Sequence, residues 1–521
     1  MEKQVQIHMG KESAKTDVIG NEVEFKKPAK QRKGSDKRRT HNIEKLEALF
    51  PECVLEIDKE DGSKYKTVDF DLLRRMFLDE EQEPVEEARV QELVWPGKKA
   101  AAALADAQTA QTLQPCRAES VSWDGTHNRY IEGDNLAVLK LLLKSHAGKI
   151  KMIYIDPPYN TGSDAFVYAD HFSACGRHSA WYSMMYPRLL LARRLLTEDG
   201  VMFLSIDDHE LAGLKKLCDE IFGEHNYCGT FVVNAAPNAR DYGHIAKMHE
   251  YCLFYAKNIA ETKTNLLADT DKKFKYTDQK GGFNIHPLYN SNEAFHKENR
   301  PNLYYPFYVY PDEPVFDCFY QIGLEKREGS IEVYPPRSKK NGVPFVWRWG
   351  RDKAQQFLNE EIIGYQLREG EYRIVQKMRR SQKIIRSLLT DTKYASRRGT
   401  AQVEELFGAK VFSFPKPLAL LLDLCLVGMG KEDTLLDFFS GSATAAHAVM
   451  LLNAQDAGSR RFIMVQQPER TKQQSEAYQA GYPDICAIGK ERIRRAAQQI
   501  RREYPGAVFD GGFQVWRLEG S

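Results

Sequence analysis

The stretch Lys151-Met152-Ile153-Tyr154-Ile155-Asp156-Pro157-Pro158-Tyr159 decides how this chain is read. Apolar and β-prone residues in an unbroken run, without polar alternation, form the pattern of a strand buried on both faces. The run passes straight into Asp156, so the next side chains sit beyond the carboxyl end of the strand, where open α/β sheets place their ligands. Pro157 and Pro158 fix φ and remove two amide donors. The result is a stiff loop of acceptors, the Asp156 carboxylate and free carbonyls, with no local N–H to satisfy them. Such a loop suits the two hydrogens of an exocyclic amine, and Tyr159 supplies a flat face for a heteroaromatic ring. A plain turn closing a strand would use the same residue types, so the loop needs support from elsewhere.

Outward from this loop, strand and helix patterns alternate. Upstream, residues 129–131 read as a short strand leading into Gly133-Asp134-Asn135 and an apolar-periodic helix through Leu143. Downstream, residues 181–196 read as a helix, 201–206 as a strand, 211–221 as a helix and 251–255 as a strand. Pro, Asn and aromatic residues interrupt this rhythm from Gly281 to about Gly408. It returns with a strand at 434–439, a helix at 443–452, a strand at 461–465 and a helix at 489–502. The alternation predicts an α/β fold, a doubly wound and mostly parallel Rossmann-like sheet, in two blocks that flank an insert.

The expected divisions are a basic, flexible lead-in over 1–42, an accessory region over 43–115, the first α/β half over 116–280, the insert over 281–408 and the second half over 409–521. In the accessory region Leu46, Leu49 and Phe50, then Leu72, Leu73, Met76 and Phe77, stand at helical spacing, followed by an acidic stretch over 79–92. Residues 99–112 read as a helix or a linker. Near the end, Lys490, Arg492, Arg494, Arg495, Arg501 and Arg502 alternate with Ile493, Ala497 and Ile500, which predicts an amphipathic helix covering the sheet.

Composition narrows the classes. The chain has 521 residues, and 74 Lys+Arg against 72 Asp+Glu leave a formal charge of +2, so any nucleic-acid partner must be held by local patches. With 42% hydrophobic residues a large core is available. The longest apolar run, 418–429, is short and broken by Asp423, and no signal-peptide core precedes it, so we expect a cytoplasmic protein without membrane insertion. The nine cysteines are scattered without a close pair, which disfavours disulfides, structural zinc and iron–sulfur clusters; no metal is expected.

A second loop completes the first. Asp437-Phe438-Phe439-Ser440-Gly441-Ser442-Ala443-Thr444 reads as a strand ending in small residues that open a helix. Small residues admit a ligand to the backbone, and a helix start presents N–H groups to a carboxylate or phosphate. A tight turn packed for structural reasons fits equally well when this loop is viewed alone. It lacks a full dinucleotide fingerprint and a Walker lysine. Together, an acceptor loop for an amine and a small-residue cofactor loop, each at a strand end, are the equipment of an amino-methyltransferase using S-adenosylmethionine (AdoMet).

In that light the residues resemble the DNA amino-methyltransferases of permuted order, with the catalytic loop first, a target-recognition insert in the middle and the AdoMet loop last. More closely, Trp95-Pro96-Gly97-Lys98-Lys99, Tyr130-Ile131-Glu132-Gly133-Asp134-Asn135-Leu136, the loop through Gly162, Ser205-Ile206-Asp207-Asp208, Arg300-Pro301-Asn302-Leu303-Tyr304-Tyr305-Pro306 and Phe414-Pro415-Lys416-Pro417 are similar to the modification (Mod) subunit of type III restriction-modification systems. The resemblance runs in matching order over roughly residues 43–505.

The resemblance implies a site-specific DNA methyltransferase acting on adenine N6, with Asp156, Pro157, Pro158 and Tyr159 as catalytic loop. Cytosine N4 methylation and a non-catalytic recognition subunit are the alternatives. It places Phe439, Gly441 and Ser442, with Asp437, around the methionine end of AdoMet, Lys416 nearby, and an acid after the next strand on the ribose, for which Glu469 is the candidate; a solvated glutamate at a helix start is the other reading of that residue. Asp134 either accepts from the cofactor's adenine amine or caps a helix. Ala443 stands where a second glycine is common; a positive φ there would cost roughly 1 kcal/mol. A homodimer and a separate helicase-nuclease (Res) partner are also implied, and this chain has no Walker loop of its own.

For DNA, the densest basic cluster is Lys377, Arg379, Arg380, Lys383, Arg386, Lys393, Arg397 and Arg398, opposed within its stretch by Asp391 alone. It reads as a phosphate-binding face or as a solvated one. Tyr304, Tyr305, Trp347 and Trp349 either stack on bases or form the core of the insert. A base can reach the Asp156 loop only by leaving the duplex, so flipping onto Tyr159 is expected.

Overall fold

The computed structural model describes residues 35–58, 64–77, 93–162, 177–238, 244–269, 272–368 and 370–520. The chain forms two compact units, 1–87 and 88–521. In the first, a helix over Ser35–Leu49 precedes an antiparallel hairpin of Val54–Asp58 and Lys64–Val68 and a short helix, Phe70–Phe77. The first helix thus begins inside the expected lead-in. The remainder of that lead-in, and the acidic stretch 79–92, lie outside the described residues. No helix among the described residues is long and apolar enough to cross a membrane.

A ten-stranded sheet organises the larger unit. In chain order its elements and flanking helices are β1 (Arg129–Glu132), α1 (Asn135–His146), β2 (Ile150–Ile155), α2 (Arg177–Leu195), β3 (Leu196–Ile206), α3 (Leu211–Phe222), β4 (Tyr227–Val233), β5 (Glu250–Ala256), α4 (Leu418–Gly428), β6 (Thr434–Asp437), α5 (Thr444–Asp456), β7 (Arg461–Gln466), α6 (Ile485–Glu503) and β8 (Gln514–Glu519). Across the sheet the order is β4-β5-β3-β2-β6-β7-β1-β8, with short edge strands at Leu388–Leu389 and Thr112–Pro115. From β3 to β8 neighbours run parallel, whereas β5 is antiparallel to both β3 and β4.

Alternation along each strand divides the core. Met152 and Tyr154 pack with α4, α5 and α6 on one face, and Ile153 and Ile155 with α1, α2 and α3 on the other. The helix Lys98–Asp106 joins the second face through Ala101 and Ala105, so it belongs to the larger unit and not to the accessory region. From β2 the chain leaves through α2 toward β3; from β6 it leaves through α5 toward β7 on the opposite side. β2 and β6 are hydrogen-bonded neighbours, so their carboxyl ends open at a topological switch point, where such sheets bind ligands.

Between β5 and α4 a second, antiparallel sheet of seven strands occupies the stretch from Tyr276–Asp278 to Glu371–Met378. Tyr305 and Trp347 are buried in its core. The break in the α/β rhythm is narrower than 281–408, because Leu388–Leu389 pairs in parallel with β4 of the first sheet. A two-residue strand carries too little periodicity to be read from sequence.

The helix Ser396–Phe407 bears directly on the switch point. Ser396 N donates to the Ala235 carbonyl at 2.8 Å, and Leu418 N donates to Gln402 Oε1 at 3.0 Å. Gly399 lies against the Pro415 backbone so closely that a Cβ there would sit 2.0 Å from the Pro415 carbonyl oxygen. The segment leading into Lys416 is therefore fixed by a helix that tolerates no side chain at one position. Gly399→Ala should lower stability by about 1–3 kcal/mol through overpacking. An unchanged midpoint in denaturant unfolding would contradict that contact.

Candidate active site

Asp156 follows β2 and Asp437 ends β6. The two loops, remote in sequence, line one cavity of about 190 Å³ together with Lys416, Phe439, Gly441, Ser442 and Glu469. Neighbouring parallel strands of the same direction bring both loops to the same sheet edge.

On the Asp156 side the central group is an ammonium. Lys416 Nζ lies 3.2 Å from Asp156 Oδ1 and 2.9 Å from Glu250 Oε2, donates to the Tyr159 hydroxyl at 2.7 Å, and stands 4.9 Å from the centre of the Tyr159 ring. The Tyr159 hydroxyl in turn donates to Glu250 Oε2 at 3.2 Å. Burial raises the Asp156 carboxyl, Lys416 pulls it back down, and Glu250 pushes it up again. Burial also disfavours the charged Lys416, yet the two acids hold its pKa above the ordinary value, so it stays an ammonium. Tyr159 is pushed well up by burial and by Asp156 and remains a neutral phenol.

The loop is braced from behind. Trp181 Nε1 donates to the Pro158 carbonyl at 2.7 Å, removing that oxygen from a ligand's reach. Asn160 is fully buried with φ +59° and donates to Glu210 Oε1 at 2.5 Å; His178 Nδ1 meets the same oxygen at 2.8 Å. Glu250, Trp181 and Glu210 were not singled out in the sequence. An acid heading the apolar strand 251–255 was the one local signal for Glu250.

On the Asp437 side, Asp437 Oδ1 accepts from Phe439 N at 3.1 Å, and burial pushes its carboxyl well above the usual range. Gly441 N donates to Gln466 Oε1 at 2.7 Å. Ala443 is fully buried with φ +61° and ψ 39°, the left-handed conformation that an alanine adopts only at a cost. Glu469 is half-buried; burial raises it to about 7, and its Oε2 has no hydrogen-bond partner among the described residues. Asp134 caps α1, accepting from Ala137 N at 3.0 Å, and pairs with Arg188 at 2.9 Å. The cavity is lined by its neighbour Asn135, whose Nδ2 donates to the Phe438 carbonyl at 2.7 Å.

The basic cluster needs a corrected charge balance. Lys377, only 5% exposed, and Arg379 both bind Asp278, at 2.8 and 2.6 Å. Lys383 pairs with Asp269 at 2.8 Å and Lys393 with Asp423 at 2.7 Å. Sheet pairing and packing bring in acids distant in the chain, which no local charge count could reveal. Arg380, Arg386, Arg397 and Arg398 remain exposed, with no ion pair among the described residues.

Residues 150–491 match the DNA methylase family. The chain is 32% identical to the type III restriction-modification enzyme EcoPI Mod subunit of Escherichia phage P1, over 86% of this chain and 73% of that protein. It is likewise 32% identical to the EcoP15I Mod subunit of Escherichia coli, over 91% and 76% of the respective chains. With the type II methyltransferase M.KpnI of Klebsiella pneumoniae it shares 34% identity over 71% of this chain and 88% of that one.

Ala443 provides a local test of this geometry. Relieving a left-handed alanine gains about 1–2 kcal/mol, and the extra freedom of glycine in the unfolded chain returns about 0.5–1 kcal/mol. Ala443→Gly should therefore raise the unfolding free energy by up to about 1 kcal/mol. A loss larger than the roughly 0.8 kcal/mol that one buried methyl contributes would show that this backbone is not left-handed.

Proposed function

The chain belongs to the DNA methylase family and, within it, to the Mod subunits of type III restriction-modification systems; from that premise we propose that it methylates adenine N6 within a short DNA sequence, with AdoMet as donor. The observation that carries this reading is the shared cavity, in which an amine-accepting corner opens beside a small-residue loop. The residues fit the donor. Glu469 offers an unpartnered carboxylate oxygen suited to a ribose hydroxyl, Phe439 an apolar wall, and the run Ser440-Gly441-Ser442 close access to the backbone.

When bound, AdoMet supplies an electrophilic methyl on a sulfonium, so no covalent enzyme intermediate is required. The protein's share is to make a poor nucleophile competent. Asp156 and the Pro157 carbonyl accept the two amine hydrogens, which favours a pyramidal nitrogen whose lone pair is free to attack. An ionised Asp156 is the stronger acceptor, and Lys416 pulls its pKa back down against burial. Glu250 holds both Lys416 and the Tyr159 hydroxyl, leaving the Tyr159 ring as the surface on which a flipped base stacks.

The same reading makes the second sheet a target-recognition domain and assigns backbone phosphates to the exposed Arg380, Arg386, Arg397 and Arg398. It includes a homodimer, association with a Res subunit and action in the cytoplasm. Nucleosides recovered after incubation with DNA and AdoMet should contain N6-methyladenine by mass spectrometry. Asp156→Ala should abolish it while cofactor binding persists in calorimetry. N4-methylcytosine would overturn the choice of base, and DNA binding without cofactor binding would leave a recognition subunit without catalysis.

The acid limb of the rate profile tests Lys416. Asp156 loses its acceptor role as pH falls through its pKa, and removing the ammonium raises that pKa further. Lys416→Met should therefore move the acid limb to higher pH and lose more activity below neutrality than above it. A variant slowed by the same factor at every pH would exclude this role.

A further inference from the structure

Behind the loop that opens α5 sits a cation that no acid neutralises. Arg492, on α6, is 0% exposed. Its Nη1 donates to Ser442 Oγ at 2.8 Å and to Thr444 Oγ1 at 2.6 Å. Nε and Nη2 have no hydrogen-bond partner, and Arg492 forms no ion pair among the described residues. Lys490, two positions earlier on the same helix, shows the usual solution, since Glu119 and Glu132 both pair with it. A buried charge left unpaired is costly, and truncating its surroundings does not explain why it is kept.

Asp437, which lines the same cavity, has its carboxyl pushed well above the usual range by burial, and no acid among the described residues pairs with Arg492. Burial lowers the Arg492 guanidinium to about 9, which still leaves it charged at neutral pH. His447, on α5, is held near 3 by burial and by Arg492, so it is neutral. The amino end of α5, a helix of 13 residues, contributes its own partial positive charge beside Thr444. The two cations that line the cavity, Lys416 and Arg188, are already engaged by Asp156, Glu250 and Asp134. What this end of the cavity lacks is an anion.

Ser442 and Thr444 connect the guanidinium to that space, because both line the cavity. Each hydroxyl oxygen accepts from Arg492, so its own hydrogen must point elsewhere. The two oxygens are 3.4 Å apart, and one hydroxyl can at most satisfy the other, leaving an O–H donor for the cavity. We propose that Arg492 is a positioning residue which, through Ser442 and Thr444, makes this end of the cavity a seat for a carboxylate, that of the amino-acid end of AdoMet. The inference rests on the cofactor reading above and adds the group that selects the carboxylate.

Calorimetry on the full chain with three ligands tests it: AdoMet, its decarboxylated analogue, and 5′-methylthioadenosine, which lacks the amino-acid end. The wild-type chain should bind AdoMet roughly tenfold or more tightly than the decarboxylated analogue. In Arg492→Met that preference should vanish, with methylthioadenosine affinity unchanged, and Arg492→Lys should restore part of it. If Arg492→Met does not fold, Ser442→Ala combined with Thr444→Val should remove the same preference. Equal loss for all three ligands, or a preference that survives, would overturn the role of Arg492. A wild-type chain that binds none of the three would instead overturn the cofactor reading on which it stands.

Discussion

Two carboxylates cannot share a water-poor corner in ionised form unless a cation stands between them, and here that cation is Lys416. Its ammonium donates to Glu250 and to the Tyr159 hydroxyl and lies within ion-pair distance of Asp156 Oδ1, which has no hydrogen-bond partner among the described residues, so one side chain bears on both the charge of Asp156 and the position of the Tyr159 ring. The dependence is mutual. The acids hold the Lys416 pKa up against burial, and Lys416 pulls the Asp156 pKa down against burial. The corner is therefore a unit, and its parts come from two strand ends and a loop that the sheet brings together.

The fold supplies that approach through strand order. β2 and β6 diverge, one toward α2 and the other toward α5, which opens a gap between their carboxyl ends. Lys416 reaches the gap from a third direction because the helix Ser396–Phe407 anchors the preceding segment at Gly399 and Gln402. The same helix exposes Arg397 and Arg398 at its start. A face assigned to phosphate is thus mechanically continuous with the loop that bears the ammonium.

Much of this was legible in the sequence because it is local. The buried-type strand before Asp156, the proline pair, and the small residues after Asp437 each announce a strand end, and β2 and β6 appear where those patterns place them. Glu250 was not legible, since its importance comes from antiparallel pairing of β5 with β3 beside β2. The basic cluster misled for the matching reason: Asp278 is far from Arg379 in the chain but next to it across the sheet. Asp134 admitted two readings, an acceptor for the cofactor and a helix cap, and its bond from Ala137 N shows the cap. Arg492 escaped for a different reason: on an amphipathic pattern it counts as one more solvated charge, whereas the helix turns it inward.

Part of the backbone strain follows the same geography. Among the described residues, left-handed conformations at non-glycine positions occur at Asn160 after the Asp156–Tyr159 loop, at Phe414 beside Lys416 and at Ala443 at the start of α5, and also at Ser122, Asp317, Asn359 and Ala457 away from the cavity. Each costs on the order of 1 kcal/mol or more, and such conformations persist only where the surroundings over-determine them. Asn160 is fixed by Glu210, and Ala443 is enclosed in the core built by α4, α5 and α6. A buried unpaired guanidinium belongs with these features, since it too is unfavourable in the free protein and sits where a ligand's charge would relieve it. The costs at Phe414, Ala443 and Arg492, beside one cavity, are of the kind that a site prepared for a transferring group can use. The reorganisation is met when the chain folds and not when the methyl moves.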